Sequence, residues 1–241
     1  MNAPQAGRVV EMWERGAARS STERGLLLME FAFPESAFEE RSGLSIGHRD
    51  SCLMDLRRRL FGSAVETISA CTACGAAIAI DFDVDNVRAP HAAPGTVVEL
   101  DVGDRRLRFR LPNSTDLLAI EEESDPVRAE RRLLDRCLCQ EEAGDSERAQ
   151  AEAERISRAL AGADPQAELI LSIACPDCGA VADARFDIVL HLWSEIEDWV
   201  SGLLEDVGRL AARFGWSERD ILAMTHARRQ AYLGLIETDA A

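Results

Sequence analysis

The sequence contains the same short motif twice, and these two copies constrain the fold more than any other feature. They read Cys71-Thr-Ala-Cys74-Gly75 and Cys175-Pro-Asp-Cys178-Gly179. At the offset that aligns Cys71 with Cys175, the match continues without gaps as Phe82-Asp83-Val84 against Phe186-Asp187-Ile188. Agreement over this length indicates an internal repeat rather than a chance coincidence of cysteines.

The four cysteines of the repeat predict a metal centre. A Cys-x-x-Cys-Gly turn directs two thiolates into one small volume, and its glycine allows a positive φ. Two such turns that face each other complete a closed, tetrahedral shell of four thiolates, which is typical of structural zinc. We therefore predict one structural Zn²⁺ ion, bound by Cys71, Cys74, Cys175 and Cys178.

Two other uses of paired cysteines are weighed against zinc. An iron–sulfur cluster also accepts four cysteines, and a Cys-x-x-Cys motif is typical of thioredoxin-like redox sites. A redox motif begins a helix after a strand, whereas both motifs here are predicted at the turn of a β-hairpin. The pattern favours zinc over both alternatives.

The three remaining cysteines have no assigned role. Cys52 lies on the apolar face of a predicted helix, where a free cysteine acts as a small hydrophobic residue. Cys137 and Cys139 are expected to be structural, with a further pair of metal ligands as the alternative.

The expected fold class is α+β, a split zinc ribbon over residues 25–188 with a helical insert over 86–165. Strands are predicted at 65–70 and 78–84 around the first motif, and at 169–174 and 181–188 around the second. The insert is expected to begin with a hairpin that turns at Gly103-Asp104. Helices are then predicted from Ser114 or Thr115, over 125–139 and over 147–160.

The N-terminal part is predicted to contain less regular structure. Residues 1–24 are polar and show no clear periodicity, which indicates a mobile tail. The apolar run 25–33 predicts a buried strand or extended segment, which Pro34 ends. Ser45 is expected to cap a helix that ends at Leu60–Gly62, with the basic run 57–59 on its solvated face.

The C-terminal region, residues 189–241, is predicted to be helical. Its apolar residues recur in steps of four and three, which is an a/d pattern of nearly four heptads: Val189, Trp193, Ile196, Val200, Leu203, Val207, Leu210 and Phe214. The helix 189–214 is expected to be the spine of the domain, with an oligomer or partner surface as the alternative. Ser217 with Asp220 predicts the cap of a short helix, and Thr225 the cap of the last one.

Charge and composition limit the classes of function. Forty-three acidic residues against 27 basic ones give a net charge of −16. Because binding to nucleic acid usually requires a basic face, we do not expect a nucleic-acid partner. The sequence has no apolar run of membrane-spanning length and no pattern typical of a signal peptide, so we expect a cytoplasmic protein without a membrane partner. It also has none of the common catalytic motifs, so we do not expect an enzyme.

Several segments, together with their order along the chain, resemble the T4-type baseplate hub assembly chaperone family of contractile phage tails and phage-derived contractile injection systems. They are residues 43–50, the end of the helix at 60–62, both cysteine motifs, and the segments 111–118, 164–168, 186–188, 214–224 and 228–233. The resemblance covers about residues 25–237. It implies a non-enzymatic assembly chaperone or accessory protein whose partners are baseplate or hub proteins. The alternative from another class is a zinc-ribbon module that binds nucleic acid or takes part in transcription.

Overall fold

The computed structural model of the chain describes residues 3–102, 105–139 and 150–239. The α-helices are α1 (Ala3–Gly16), α2 (Ser21–Ala32), α3 (Phe38–Ser42), α4 (Ile46–Phe61), α5 (Ser114–Ile120), α6 (Pro126–Cys137), α7 (Gln150–Ala163), α8 (Ile188–Phe214), α9 (Glu218–Leu222) and α10 (His226–Asp239). The strands are β1 (Ala64–Ala70), β2 (Ala77–Asp83), β3 (Val97–Val102), β4 (Arg105–Arg110), β5 (Leu169–Ala174) and β6 (Val181–Phe186). A short 3₁₀ helix, Pro165–Ala167, precedes β5. The chain thus combines helices with small antiparallel hairpins, as the α+β class requires.

The chain divides into two compact units. One consists of Met1–Leu28 together with Leu190–Ala241, and the other of Met29–Val189. The second unit contains the three hairpins, and its bounds lie close to the predicted 25–188. The first unit joins the N-terminal segment to the predicted C-terminal helical region, although the sequence predicts two separate regions.

Both hairpins predicted around the cysteine motifs are confirmed. β1 pairs antiparallel with β2, with Val65 opposite Phe82, and β5 pairs antiparallel with β6, with Leu169 opposite Phe186. The repeat extends to the ends of the hairpins. The Asp83 carboxylate accepts a hydrogen bond from the N–H of Asp85, and that of Asp187 accepts one from the N–H of Val189. The turn that begins at Asp83 leads into a loop, whereas the turn that begins at Asp187 leads into α8.

The predicted insert has a hydrophobic core of its own. The hairpin β3–β4 and helices α6 and α7 bury a set of residues that all lie between positions 92 and 160: Ala92, Leu107, Phe109, Leu111, Leu134, Cys137, Ala153, Ile156 and Leu160. The predicted turn at Gly103-Asp104 and the predicted start of a helix at Glu147 lie outside the described residues. Helix α5 begins at Ser114 as predicted, and its cap is Asn113, whose side chain accepts hydrogen bonds from two backbone N–H groups.

Helix α4 agrees with its prediction at both ends, but not on its basic face. Ser45 is the N-cap, and Gly62, with φ of 93°, ends the helix. The prediction that residues 57–59 are all solvated is wrong for Arg57, which is buried. Its guanidinium donates a hydrogen bond to the carbonyl of Gly62 at 2.8 Å, which satisfies an unpaired group at the helix end.

The two N-terminal predictions are wrong for the described residues. Residues 3–24, predicted as a mobile tail, form α1 and the start of α2, and α1 buries Ala6, Val9 and Val10. The run 25–33, predicted as a strand or extended segment, lies mostly within α2, where Leu28 is fully buried. An apolar run of this length fits a buried helix as well as a buried strand.

The predicted C-terminal helix is confirmed as α8, and Gly215 follows its last residue. Within the first unit its heptad positions from Trp193 to Leu210 are buried, as expected of a core helix. The ring of Trp193 lies against Gly16, and its Nε1 donates a hydrogen bond to Glu197 at 2.8 Å. The caps at Ser217 and Thr225 are present, each accepting a hydrogen bond from a backbone N–H of the following helix. Among the described helices, none has the length and apolar character needed to cross a membrane.

Candidate metal centre

The two cysteine motifs form turns with the same backbone geometry. In the first, the N–H of Cys71 donates to the carbonyl of Ala76, and the N–H of Gly75 donates to the carbonyl of Cys71, both at 2.8 Å. The second turn has the equivalent bonds, from Cys175 to Ala180 at 2.8 Å and from Gly179 to Cys175 at 2.9 Å.

A glycine is required at the end of each turn. The φ angles of Gly75 and Gly179 are 75° and 73°, in the left-handed region that side chains with a Cβ rarely adopt. The backbone geometry of each turn therefore depends on its glycine.

The structure brings all four cysteines of the repeat together. The Sγ atoms of Cys71 and Cys178 are 3.7 Å apart, and so are those of Cys74 and Cys175. All four sulfur atoms lie within 4.8 Å of one another. A disulfide would bring two sulfur atoms to about 2.05 Å, so these are free thiols gathered at one point. Such a cluster can hold a metal ion.

The site lies at the edge of a small hydrophobic core. The first cysteine of each motif, Cys71 and Cys175, is buried, whereas the second, Cys74 and Cys178, is exposed. Beneath the sulfur atoms the two hairpins share a buried cluster that includes Ile78 and Ile80 of the first hairpin. The hairpins are thus in contact on their inner faces as well as at their turns.

The hydrogen bonds of the turn prepare Cys71 for deprotonation. Backbone N–H groups of Cys74 and Ala73 point at its sulfur and lower the pKa of the Cys71 thiol to about 6. For Cys74, the N–H of Ala76 acts in the same direction, but the adjacent sulfur atoms of Cys178 and Cys71 outweigh it and raise the pKa to about 12. Without a cation, therefore, the cluster cannot easily carry several negative charges. A bound metal ion supplies the charge that lets all four thiols ionise.

The other cysteines lie apart from this site. Cys137 is buried in the core of the insert, and burial raises the pKa of its thiol to about 12. Cys139 is exposed, and its thiol donates to the carbonyl of Cys137. In the described part of the chain, no further cluster of three or more potential ligands occurs beyond the four cysteines of the repeat. The alternative of another ligand pair at Cys137 and Cys139 thus has no third residue to complete it there.

The histidines show one arrangement that the sequence did not indicate. The rings of His48 and His91 stack with centroids 4.3 Å apart. Burial, followed by the proximity of His91, lowers the pKa of His48. The positions of the two residues in the chain do not indicate this contact, because it depends on the packing of α4 against the loop before β3.

The residues between the paired cysteines bear on the choice of partner. They are Thr72 and Ala73 in the first motif and Pro176 and Asp177 in the second. These residues include one acidic and no basic side chain, unlike the surfaces that bind nucleic acid.

In comparisons with known proteins, the sequence matches no protein-family model, and neither a curated protein nor a solved structure matches the chain.

Proposed function

We propose that Cys71, Cys74, Cys175 and Cys178 bind one structural zinc ion. The observation that carries this proposal is the spacing of the sulfur atoms. Zn–S bonds of about 2.3 Å in a tetrahedron place the sulfurs about 3.8 Å apart. Two of the six sulfur–sulfur separations, Cys71 to Cys178 and Cys74 to Cys175, are 3.7 Å and agree with this value, and all four sulfur atoms lie within 4.8 Å of one another.

The same spacing argues against a cluster with several iron atoms. The cysteines of such a cluster bind different iron atoms, and their sulfurs therefore surround a larger volume than one ion occupies. A tetrahedral set of four thiolates also leaves no open position for a substrate or a water molecule, which supports a structural role over a catalytic one.

Zinc would join parts of the chain that are distant in sequence. Lengthening a closed loop from about 20 to about 100 residues costs roughly 1.4 kcal/mol of loop entropy. Structural zinc contributes on the order of 10 kcal/mol, so the long insert does not prevent folding around the ion. The separate core of the insert, from Ala92 to Leu160, further lowers the entropic cost.

We infer from the ordered sequence motifs that the protein is a non-enzymatic assembly chaperone or accessory protein. Its proposed partners are baseplate or hub proteins of a contractile tail or injection system. The net charge of −16 fits a basic protein partner better than a nucleic acid. The metal site would then hold the two hairpins in place, and the binding surfaces would lie elsewhere on the fold.

Metal analysis tests the zinc proposal. We expect the purified chain to contain one zinc ion, and Cys178→Ser to lose most of it and to melt at a lower temperature. Cys178 is the better choice of ligand to replace because it is exposed. Cys139→Ser is the matched control, since Cys139 is also exposed and lies outside the cluster. Retention of one zinc ion per chain by Cys178→Ser would overturn the four-cysteine site.

Co-purification tests the assembly role. The tagged chain is expressed with each baseplate and hub protein encoded near its gene, and the expected result is a complex with at least one of them. Binding to none of these proteins would contradict the proposal. Salt-dependent binding to DNA in a gel-shift assay would favour the nucleic-acid module instead.

A further inference from the structure

The second unit contains a cavity that the metal centre does not use. Its volume is about 410 Å³, within the range of ligand pockets in proteins. Its walls come from elements far apart in the sequence, and most of them are apolar. They include Ile46 of α4, Leu117 of α5, Leu134 of α6, Leu160 of α7, Leu169 of β5 and Phe186 of β6.

Four of the segments that carry the family resemblance meet at this cavity. Residues 43–50 contribute Ile46 and Arg49, residues 111–118 contribute Leu117, residues 164–168 contribute Glu168, and residues 186–188 contribute Phe186. None of these segments takes part in the cysteine cluster. Their convergence is a structural property that their order in the sequence does not reveal.

The charged groups of the cavity are unequal in number. Four carboxylates face two guanidinium groups, and the six residues are Asp50, Asp164, Glu168, Asp187, Arg49 and Arg185. Arg185 and Glu168 pair with each other at 2.5 Å, and their side chains are 73% and 41% exposed, so this pair lies at the mouth. Arg49 and Asp50 are only 7% and 13% exposed and lie deep in the cavity.

Asp50 is only partly neutralised by its partner. Nε and Nη2 of Arg49 each lie 2.7 Å from the same oxygen of Asp50, Oδ1. Burial raises the pKa of Asp50 to about 6 even though the charge of Arg49 acts in the opposite direction. By contrast, Asp164 accepts hydrogen bonds from two backbone N–H groups, those of Gly47 and Ala92. A second positive charge near Oδ2 of Asp50 would therefore stabilise its ionised form.

We propose that this cavity binds an apolar chain that ends in a positive charge, the side chain of a lysine on a partner protein, with Asp50 as its counter-ion. The apolar walls contact the methylene groups, and the excess of carboxylates attracts the ammonium group. An alkyl carboxylate is excluded because it would meet the four carboxylates with both guanidinium groups already paired. The choice of a protein as the source of the lysine rests on the proposed assembly function.

The test is a titration of the zinc-loaded, full-length chain, followed by backbone NMR. The probes are n-hexylammonium, n-hexanol and hexanoate, together with a blocked Gly-Lys-Gly peptide and its norleucine analogue. We expect hexylammonium and the lysine peptide to shift the amide signals of residues that line the cavity. Asp50→Asn is expected to weaken both by about tenfold, as the loss of one charge-assisted hydrogen bond predicts, and to leave hexanol unchanged.

Two further variants control for unfolding and for general charge effects. Asp55→Asn removes a carboxylate from the same helix, but Asp55 pairs with Arg88 at the surface and does not line the cavity. It should bind hexylammonium as the unmodified chain does. Ala161→Phe enlarges an exposed lining residue and should block the cavity without disturbing the core.

The results separate the parts of the proposal. The cavity's preference for a cation would be overturned if hexylammonium did not bind, or if it bound no more tightly than hexanol. It would also be overturned if neither Asp50→Asn nor Ala161→Phe changed the binding of hexylammonium. Binding of hexylammonium without binding of the lysine peptide would overturn the lysine as its source. Either failure leaves the co-purification experiment as an independent test of the assembly function.

Discussion

The carboxylate of Asp164 accepts a hydrogen bond from the backbone N–H of Gly47 at 2.8 Å, and so joins two residues 117 positions apart. Its other oxygen accepts a hydrogen bond from the N–H of Ala92 at 3.1 Å. Asp164 is almost completely buried. This one side chain therefore connects the first turn of α4, the loop before β3 and the start of the 3₁₀ helix.

The close approach of Asp164 makes Gly47 intolerant of a larger residue. A Cβ at this position would lie 2.6 Å from Cγ of Asp164 and 2.9 Å from the backbone nitrogen of Ala167. We predict that Gly47→Ala lowers the free energy of unfolding by about 2–4 kcal/mol, because overpacking adds to the loss of buried hydrogen bonds. Urea denaturation measures this change.

Gly162 in α7 provides the matched control, since a Cβ there would meet nothing within 4 Å. Gly162→Ala should change the free energy of unfolding by less than about 1 kcal/mol, with stabilisation as the expected sign. Equal effects of the two substitutions would show that the contact between Gly47 and Asp164 does not limit stability.

The two hairpins are also coupled by an aromatic pair at equivalent positions of the repeat. The rings of Phe82 and Phe186 meet edge to face with centroids 5.0 Å apart. A double-mutant cycle with Phe82→Leu and Phe186→Leu should give a coupling free energy of about 0.5–1.5 kcal/mol. The control cycle pairs Phe82→Leu with Phe38→Leu, since Phe38 is half exposed on α3. If the changes at Phe82 and Phe186 were additive, the rings would not stabilise the pairing of the hairpins.

The buried carboxyl group of Asp50 predicts a distinct dependence of stability on pH. Its pKa in the folded chain, about 6, lies above the ordinary value of 3.8. The folded state therefore binds the proton of Asp50 more tightly than the unfolded state does. The stabilisation that this proton contributes is complete below about pH 4 and is lost as the pH rises through about 6. Asp50→Asn removes this loss. We predict that the stability of the variant relative to the unmodified chain rises by about 2 kcal/mol between pH 4.5 and pH 7.5.

His48 acts in the opposite sense, because its lowered pKa makes protonation unfavourable in the folded state as the pH falls. This contribution is present in both proteins and cancels when the two are compared. Urea denaturation at the two pH values gives the difference, with Asp55→Asn as the control at the surface. A constant difference between Asp50→Asn and the unmodified chain would mean that Asp50 titrates normally.

The elements with strong local signals could be predicted from the sequence. The cap at Ser45, the hairpins around both cysteine motifs and the heptads of α8 depend on residues close together in the chain. The gathering of the four cysteines was also predictable, because two identical turns each supply two thiols. In α1, the spacing of Ala6, Val9 and Val10 is a helical pattern that could have indicated a helix. The polar residues between them obscured it.

Other features arise only from contacts between distant segments. The burial of Arg57 depends on where the chain turns after Gly62. From the sequence alone, Asp50 is expected to be an ordinary charged surface residue. It is largely buried only because α4 packs beside the insert and the end of β6. No local pattern encodes such a cavity, because each wall comes from a different element and the packing decides which side chains meet.

X-ray absorption at the zinc edge of the purified chain is the sharpest test of whether the four cysteines bind one zinc ion. A site of four cysteines should give a first shell of four sulfur atoms at about 2.3 Å and no nitrogen or oxygen ligand. Cys139→Ser should leave this spectrum unchanged, and Cys178→Ser should abolish the four-sulfur shell. A zinc ion with nitrogen or oxygen in its first shell, or an unchanged spectrum for Cys178→Ser, would contradict the assignment of Cys71, Cys74, Cys175 and Cys178 as the ligands of one zinc ion.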